Sequence, residues 1–306
     1  MVYRAFVSCG TLNADDRHFV FVFLKEEIMS KPTATAQEFG KIRAAIFPIH
    51  GHELKKFLPM GFMMFFILFN YTILRDTKDA LLGTAPNSST EAFNFVKLGI
   101  VMPLAVLFVV LYAKLANIFS RYQLFNIMIG TFITFFGAFA FVIYPNVELI
   151  HPDISYIASL QAEFPRWHYP IAIYGNWTFT IFYAISELWG SAMISLLFWQ
   201  FANEITRTHE AKRFYALFGL LANVALIFSG QTVKLMSDIR HSLPEGVDAW
   251  GVSLQYMMSA VVVAGLFVIF INYWMEKNVL NDPRYYDAAE AEGKKKGKKK
   301  KPKLGI

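Results

Sequence analysis

The segment YQLFNIMIGTFITFFGAFAFVIY, residues 122–144, carries no charged side chain. About 20 apolar residues, rising about 1.5 Å each, cross the roughly 30 Å hydrocarbon core of a bilayer, and a run this long suits lipid better than a soluble core. Five further runs of the same kind lie at 57–82, 95–115, 170–202, 214–236 and 250–275. None alternates apolar and polar residues as the strands of a membrane barrel do. The pattern predicts an all-α integral membrane protein with six transmembrane helices: a cytoplasmic segment over 1–56, a six-helix domain over 57–275 and a cytoplasmic tail over 276–306.

Composition agrees. Of the 306 residues, 55% are hydrophobic and 17% aromatic, including 31 Phe, which argues against a soluble domain. The net charge of +6 would suit a nucleic-acid binder, but eight lysines lie between Lys294 and Lys303, and without them the chain is slightly acidic. That block has no interleaved aromatic residues, so it is expected to be a solvated run beside anionic lipid and no nucleic acid is expected as a partner. The single cysteine, Cys9, excludes an internal disulfide framework. The run HFVFVFL at 18–24 is too short to span a membrane and lacks a small-residue cleavage site, whereas the polar text from Met29 reads as an ordinary N-terminus. Met29 is therefore the expected start.

Positive residues set the direction of insertion. Lys41, Arg43, Lys55 and Lys56 precede the first run, Lys114 and Arg121 separate the second and third, and Arg207, Lys212 and Arg213 separate the fourth and fifth. On the other face, 84–94 has no Lys or Arg, 145–169 has only Arg166, and 237–249 has only Arg240. Both termini are expected in the cytoplasm, with the protein in an inner or cell membrane.

Polar groups inside such runs are costly and therefore informative. Glu187, in SELWGS, has no basic residue near it from Trp167 to Thr206. It reads either as a cavity carboxylate or as a group paired across helices for packing. At the end of the first run, NYTILRDTKDALL (70–82) holds Arg75, Asp76, Lys78 and Asp79. Two readings compete there: a charged outer cap, or a cation held for an anionic ligand. Arg75 and Lys78 share a face at i, i+3, and Arg75 can pair with Asp79 at i, i+4, which would leave Lys78 free. Asn223 in the fifth run can serve a ligand or join helices. No phosphate-binding loop and no dinucleotide fingerprint occurs, so no enzyme activity is expected. His50 and His52 lie before the first run without further ligands and read as a solvated loop.

Several stretches together resemble the non-mitochondrial ATP/ADP translocases of intracellular bacteria and plastids: HELKKFLPM (52–60), FNYTILRDTKDALL (69–82), SELWGS (186–191), LLFWQFANEIT (196–206) and EAKRFYALFGLLANVALIFSG (210–230). The similarity runs from about Phe39 to the lysine-rich tail. It implies a major-facilitator-like carrier of twelve spans in two halves that exchanges ATP for ADP and phosphate; some members import nucleotides with protons. It implies also that Lys78 and Glu187 are essential; with Arg75, Asp79 and Asn223 from the pattern of polar groups they make the expected substrate-binding set, and no cofactor is expected. The six spans then correspond to the N-terminal half. The expected partners are ATP/ADP, the lipid bilayer, and either the second half or another copy of the chain in a homodimer. A non-transporting relic or assembly partner is the alternative.

Overall fold

In the computed structural model, residues 47–244, 246–282 and 285 are described, and the chain divides into two units, 1–51 and 52–306. Cys9, the proposed start at Met29 and the lysine block 294–303 lie outside the described residues. Of the first unit, 47–51 are described, with the Ile49 amide donating to the Phe47 carbonyl at 2.9 Å.

The second unit is all-α among its described residues. Its helices are α1 (Leu54–Gly83), α2 (Ala92–Ile118), α3 (Arg121–Ile150), α4 (Ile154–Glu163), α5 (His168–Gly175), α6 (Trp177–Ile205), α7 (Thr208–Ser242) and α8 (Ala249–Leu280). Six of them, all but α4 and α5, are long and apolar enough to cross a membrane. The expected six spans are thus present, each but the fourth somewhat longer than its apolar run because polar ends continue the helix.

Helix α1 is the hub, packing on α6, α7 and α8, while α8 also packs on α3. In the apolar windows of α1 and α6, 61% of residues are buried, against 6% for α2, so α2 is a peripheral stave. The hub depends on close approach. A Cβ on Gly61 would stand 2.6 Å from Leu221 of α7, closer than real contacts allow, so small residues set the spacing here as in other membrane bundles. Asn70 donates to the Val261 carbonyl of α8 at 2.9 Å.

The fourth run does not form one continuous helix from 170. It breaks at Asn176, whose buried amide donates to the carbonyls of Ala172 and Pro86 at 3.0 and 2.8 Å and so competes with the helical ladder. The same loop, 84–91, is tied down elsewhere. Gln161 of α4 donates to the Asn87 carbonyl at 2.9 Å, and Asn87, at φ 55, donates back to Ile154 at 3.0 Å. Asn is the residue other than glycine that most readily takes this left-handed conformation. A layer of short helices and turns therefore covers the Gly83 end of α1.

At the opposite end, Lys56 is 1% exposed and its ammonium lies 2.7 Å from Glu210, the residue that also accepts from the Arg207 amide at the start of α7. Beside it Arg213 forks onto Glu53 at 2.9 and 2.6 Å. Phe57 stacks on Phe218 and meets Phe214 edge-on. Arg121 spans 3.7 Å to Glu204 and 3.5 Å to Glu276, joining α3, α6 and α8.

Two measurements test these contacts. Glu210→Gln keeps the start of α7 but leaves the Lys56 ammonium buried without its counter-charge, and should cost about 3 kcal/mol in detergent unfolding; adding Lys56→Met should recover most of it. His151, just past α3, sits 2.6 Å from Thr178, and burial holds its pKa below the usual 6.5. The unfolded chain then binds the proton more readily, so this stability is full above about pH 6.5 and shrinks as pH falls through the folded value. Acidification should lower Tm, and His151→Gln should flatten that dependence.

Candidate functional site

The charges of RDTKD sit in the last turns of α1, and the structure separates them by burial. Lys78 is 3% exposed, whereas the side chains of Arg75 and Asp76 are 38% and 41% exposed. The Lys78 ammonium meets Asp79 at 2.6 Å and Glu187 of α6 at 3.1 Å, and stands 4.0 Å from the centre of the Tyr183 ring. Arg75 pairs with Asp76 at 3.3 Å. The expected Arg75–Asp79 pair with a free Lys78 is therefore replaced by the reverse arrangement. The reason is desolvation: a buried ammonium needs carboxylates close by, whereas the Arg75 side chain is part-exposed.

Contact with Glu187 also fixes the level of Lys78 along α6. Glu187 lies ten residues, about 15 Å, inside the Trp177 end of α6. Lys78 is at that level. Glu187 is not an isolated carboxylate, since it is held against the cation of the hub helix.

Two features hold α6 in place against α1. The Trp189 indole donates to the Ile67 carbonyl at 3.1 Å in a buried contact. Next to it, a Cβ on Gly190 would lie 2.6 Å from the Tyr71 ring. Directly after Glu187 the helix widens into a π-helical stretch over Gly190–Phe198, a departure often found beside functional residues. Among the described residues no three His, Cys, Asp or Glu side chains gather to hold a metal ion.

A family model described as TLC ATP/ADP transporter matches residues 33–306. The chain belongs to the TLC ATP/ADP transporter family. This family member is 51% identical over 276 residues to ADP,ATP carrier protein 1 of Chlamydia muridarum, covering 90% of this chain and 51% of that carrier. It is 49% identical over 260 residues to the chloroplastic ADP,ATP carrier protein 1 of Arabidopsis thaliana, covering 85% and 40%, and 43% identical over 263 residues to ADP,ATP carrier protein 1 of Rickettsia bellii, covering 86% and 52%. The chain thus spans about half the length of the relatives it matches. No solved structure matches it. Six apolar helices in a member of a transporter family make it a multi-pass membrane protein.

In this TLC transporter chain the expected residues do not all meet. Lys78, Asp79 and Glu187 form one cluster, and Arg75 lies a turn away with Asp76. Asn223 is exposed on α7 and donates to its own helix at Gly219, 3.0 Å. Tyr183 was missed by the sequence reasoning, although it precedes Glu187 by four residues and so shares its face. Trp189 and Gly190, within SELWGS, are there to position the helix. Gly190→Ala should drive its methyl into Tyr71, separate α6 from α1 and lower Tm by several degrees in detergent. Gly99→Ala, where nothing lies within 4 Å, should leave Tm unchanged or raise it.

Proposed function

We propose that this chain is a six-helix half of a nucleotide carrier that exchanges ATP for ADP by alternating access, with Lys78 as the cation that takes the phosphate chain. The observation that carries this is the Lys78 ammonium, buried in an apolar bundle and held between carboxylates of two helices. Such a charge is costly unless it is used or paired, and here it is both paired and placed where a polyanion could compete for it. The names of the relatives, ADP,ATP carriers, supply the substrate class.

The chemistry follows from competition. In the state described, one ammonium faces two carboxylates, so the cluster is net negative and repels phosphate. A triphosphate binds by taking Lys78 from Glu187, whose charge must then be met in another way. Release of phosphate restores the Lys78–Glu187 contact. Because that contact joins α1 to α6, occupancy of the site and the packing of these two helices are linked. The distribution of Lys and Arg supports a reading in which both termini face the cytoplasm at an inner or cell membrane and the unit pairs with a second six-helix unit, continuous with it or a second copy.

Titration of the purified chain with ATP while following thermal unfolding tests the assignment. ATP should raise Tm in the unmodified chain, Lys78→Ala should abolish the rise, and Lys78→Arg should retain part of it; an equal rise with and without Lys78 overturns the reading. In cells, Glu187→Gln should reach the membrane at normal levels and lose uptake of labelled ATP. Uptake stimulated by internal ADP and indifferent to a protonophore separates exchange from proton-coupled import.

A further inference from the structure

The cluster contains one group that the exchange described above does not use. Tyr183 is fully buried, its ring lies against both Lys78 and Phe93, and its hydroxyl makes no hydrogen bond among the described residues. Leaving a buried hydroxyl unmet costs about 1–3 kcal/mol. The carboxylates of Asp79 and Glu187 both lie near enough to act on that hydroxyl, yet neither accepts from it in full hydrogen-bond geometry, and both hold the ammonium. Tyr183 and Glu187 project from the same face of α6, one turn apart. Glu187 is 28% exposed and Asp79, which follows Lys78 directly on α1, is held at the shorter distance, so Glu187 is the carboxylate on the other helix and the longer contact.

We infer that Tyr183 is a positioning residue: when a nucleotide phosphate takes the Lys78 ammonium, the Tyr183 hydroxyl receives the Glu187 carboxylate. The inference rests on the reading of Lys78 as the phosphate ligand. It accounts for the unmet hydroxyl in the cluster and, on that reading, gives a partner to the carboxylate that loses its cation when phosphate binds. The motion required is a change of side-chain rotamer, with no new bond broken in the helix. The ring stays under Lys78 throughout and continues to stabilise the cation through its face.

Tyr183→Phe keeps the ring and removes only the hydroxyl. In the absence of nucleotide it should leave Tm unchanged or raise it, since the atom removed has no partner; a residue with a merely structural role would lower it. The ATP dissociation constant should rise about tenfold, the value of one hydrogen bond to a charged group. In a Glu187→Gln background, where no carboxylate is displaced, the same substitution should change ATP affinity less than about twofold. Equal losses in both backgrounds, or no loss in either, overturn the role of Tyr183. If ATP binds equally to the unmodified chain and to Lys78→Ala, or to neither, the phosphate reading itself fails and this inference falls with it, an outcome separable from normal Lys78-dependent binding that Tyr183→Phe does not weaken.

Discussion

The architecture depends on one buried ammonium. Placing the Lys78 charge in an apolar bundle requires counter-charge within contact distance, and only one of its two carboxylates belongs to its own helix. The other must be delivered by α6, which forces α6 against α1 closely enough for a 3.1 Å contact. Gly190 provides that approach and the Trp189 hydrogen bond holds it. The same logic recurs at the far end of α1, where Lys56 draws Glu210 and therefore α7 to the hub. Lipid tails are as apolar as leucine, so burial alone gives helices little reason to prefer one another. Here the polar contacts at the two ends of α1 help choose which helix lies beside which.

Much of this was open to a reading of the residues. The spans were legible because uniform apolarity over more than 20 residues is rare outside a bilayer, and Lys78 and Glu187 stood out because charges are rare in such surroundings. Their pairing with each other was not legible: it joins helices more than a hundred residues apart, whereas sequence spacing speaks only of neighbours on one helix. That is why Arg75 looked like the natural partner of Asp79. The break at Asn176 escaped notice for a similar reason, since what decides it is a carbonyl at Pro86, far away in the chain. Tyr183 was within reach of helical spacing from Glu187, but a tyrosine in an aromatic-rich run carries no distinguishing mark until its hydroxyl is seen to be unmet.

Helix α2 has a different kind of place in the molecule. Between Lys97 and Ile118 it buries no residue completely, yet it is fastened at both ends: Phe93 lies against Tyr183, and the Tyr112 hydroxyl donates to Gln200 at 2.6 Å. Its middle is thus in contact mainly with whatever surrounds the chain. The cohesion of this unit is accordingly a joint property of protein and medium, and the medium enters the folding equilibrium as a component, much as a bound ligand would. Hydrocarbon thickness and lateral pressure act on α2 directly, and through Phe93 they bear on the ring that lies beneath Lys78.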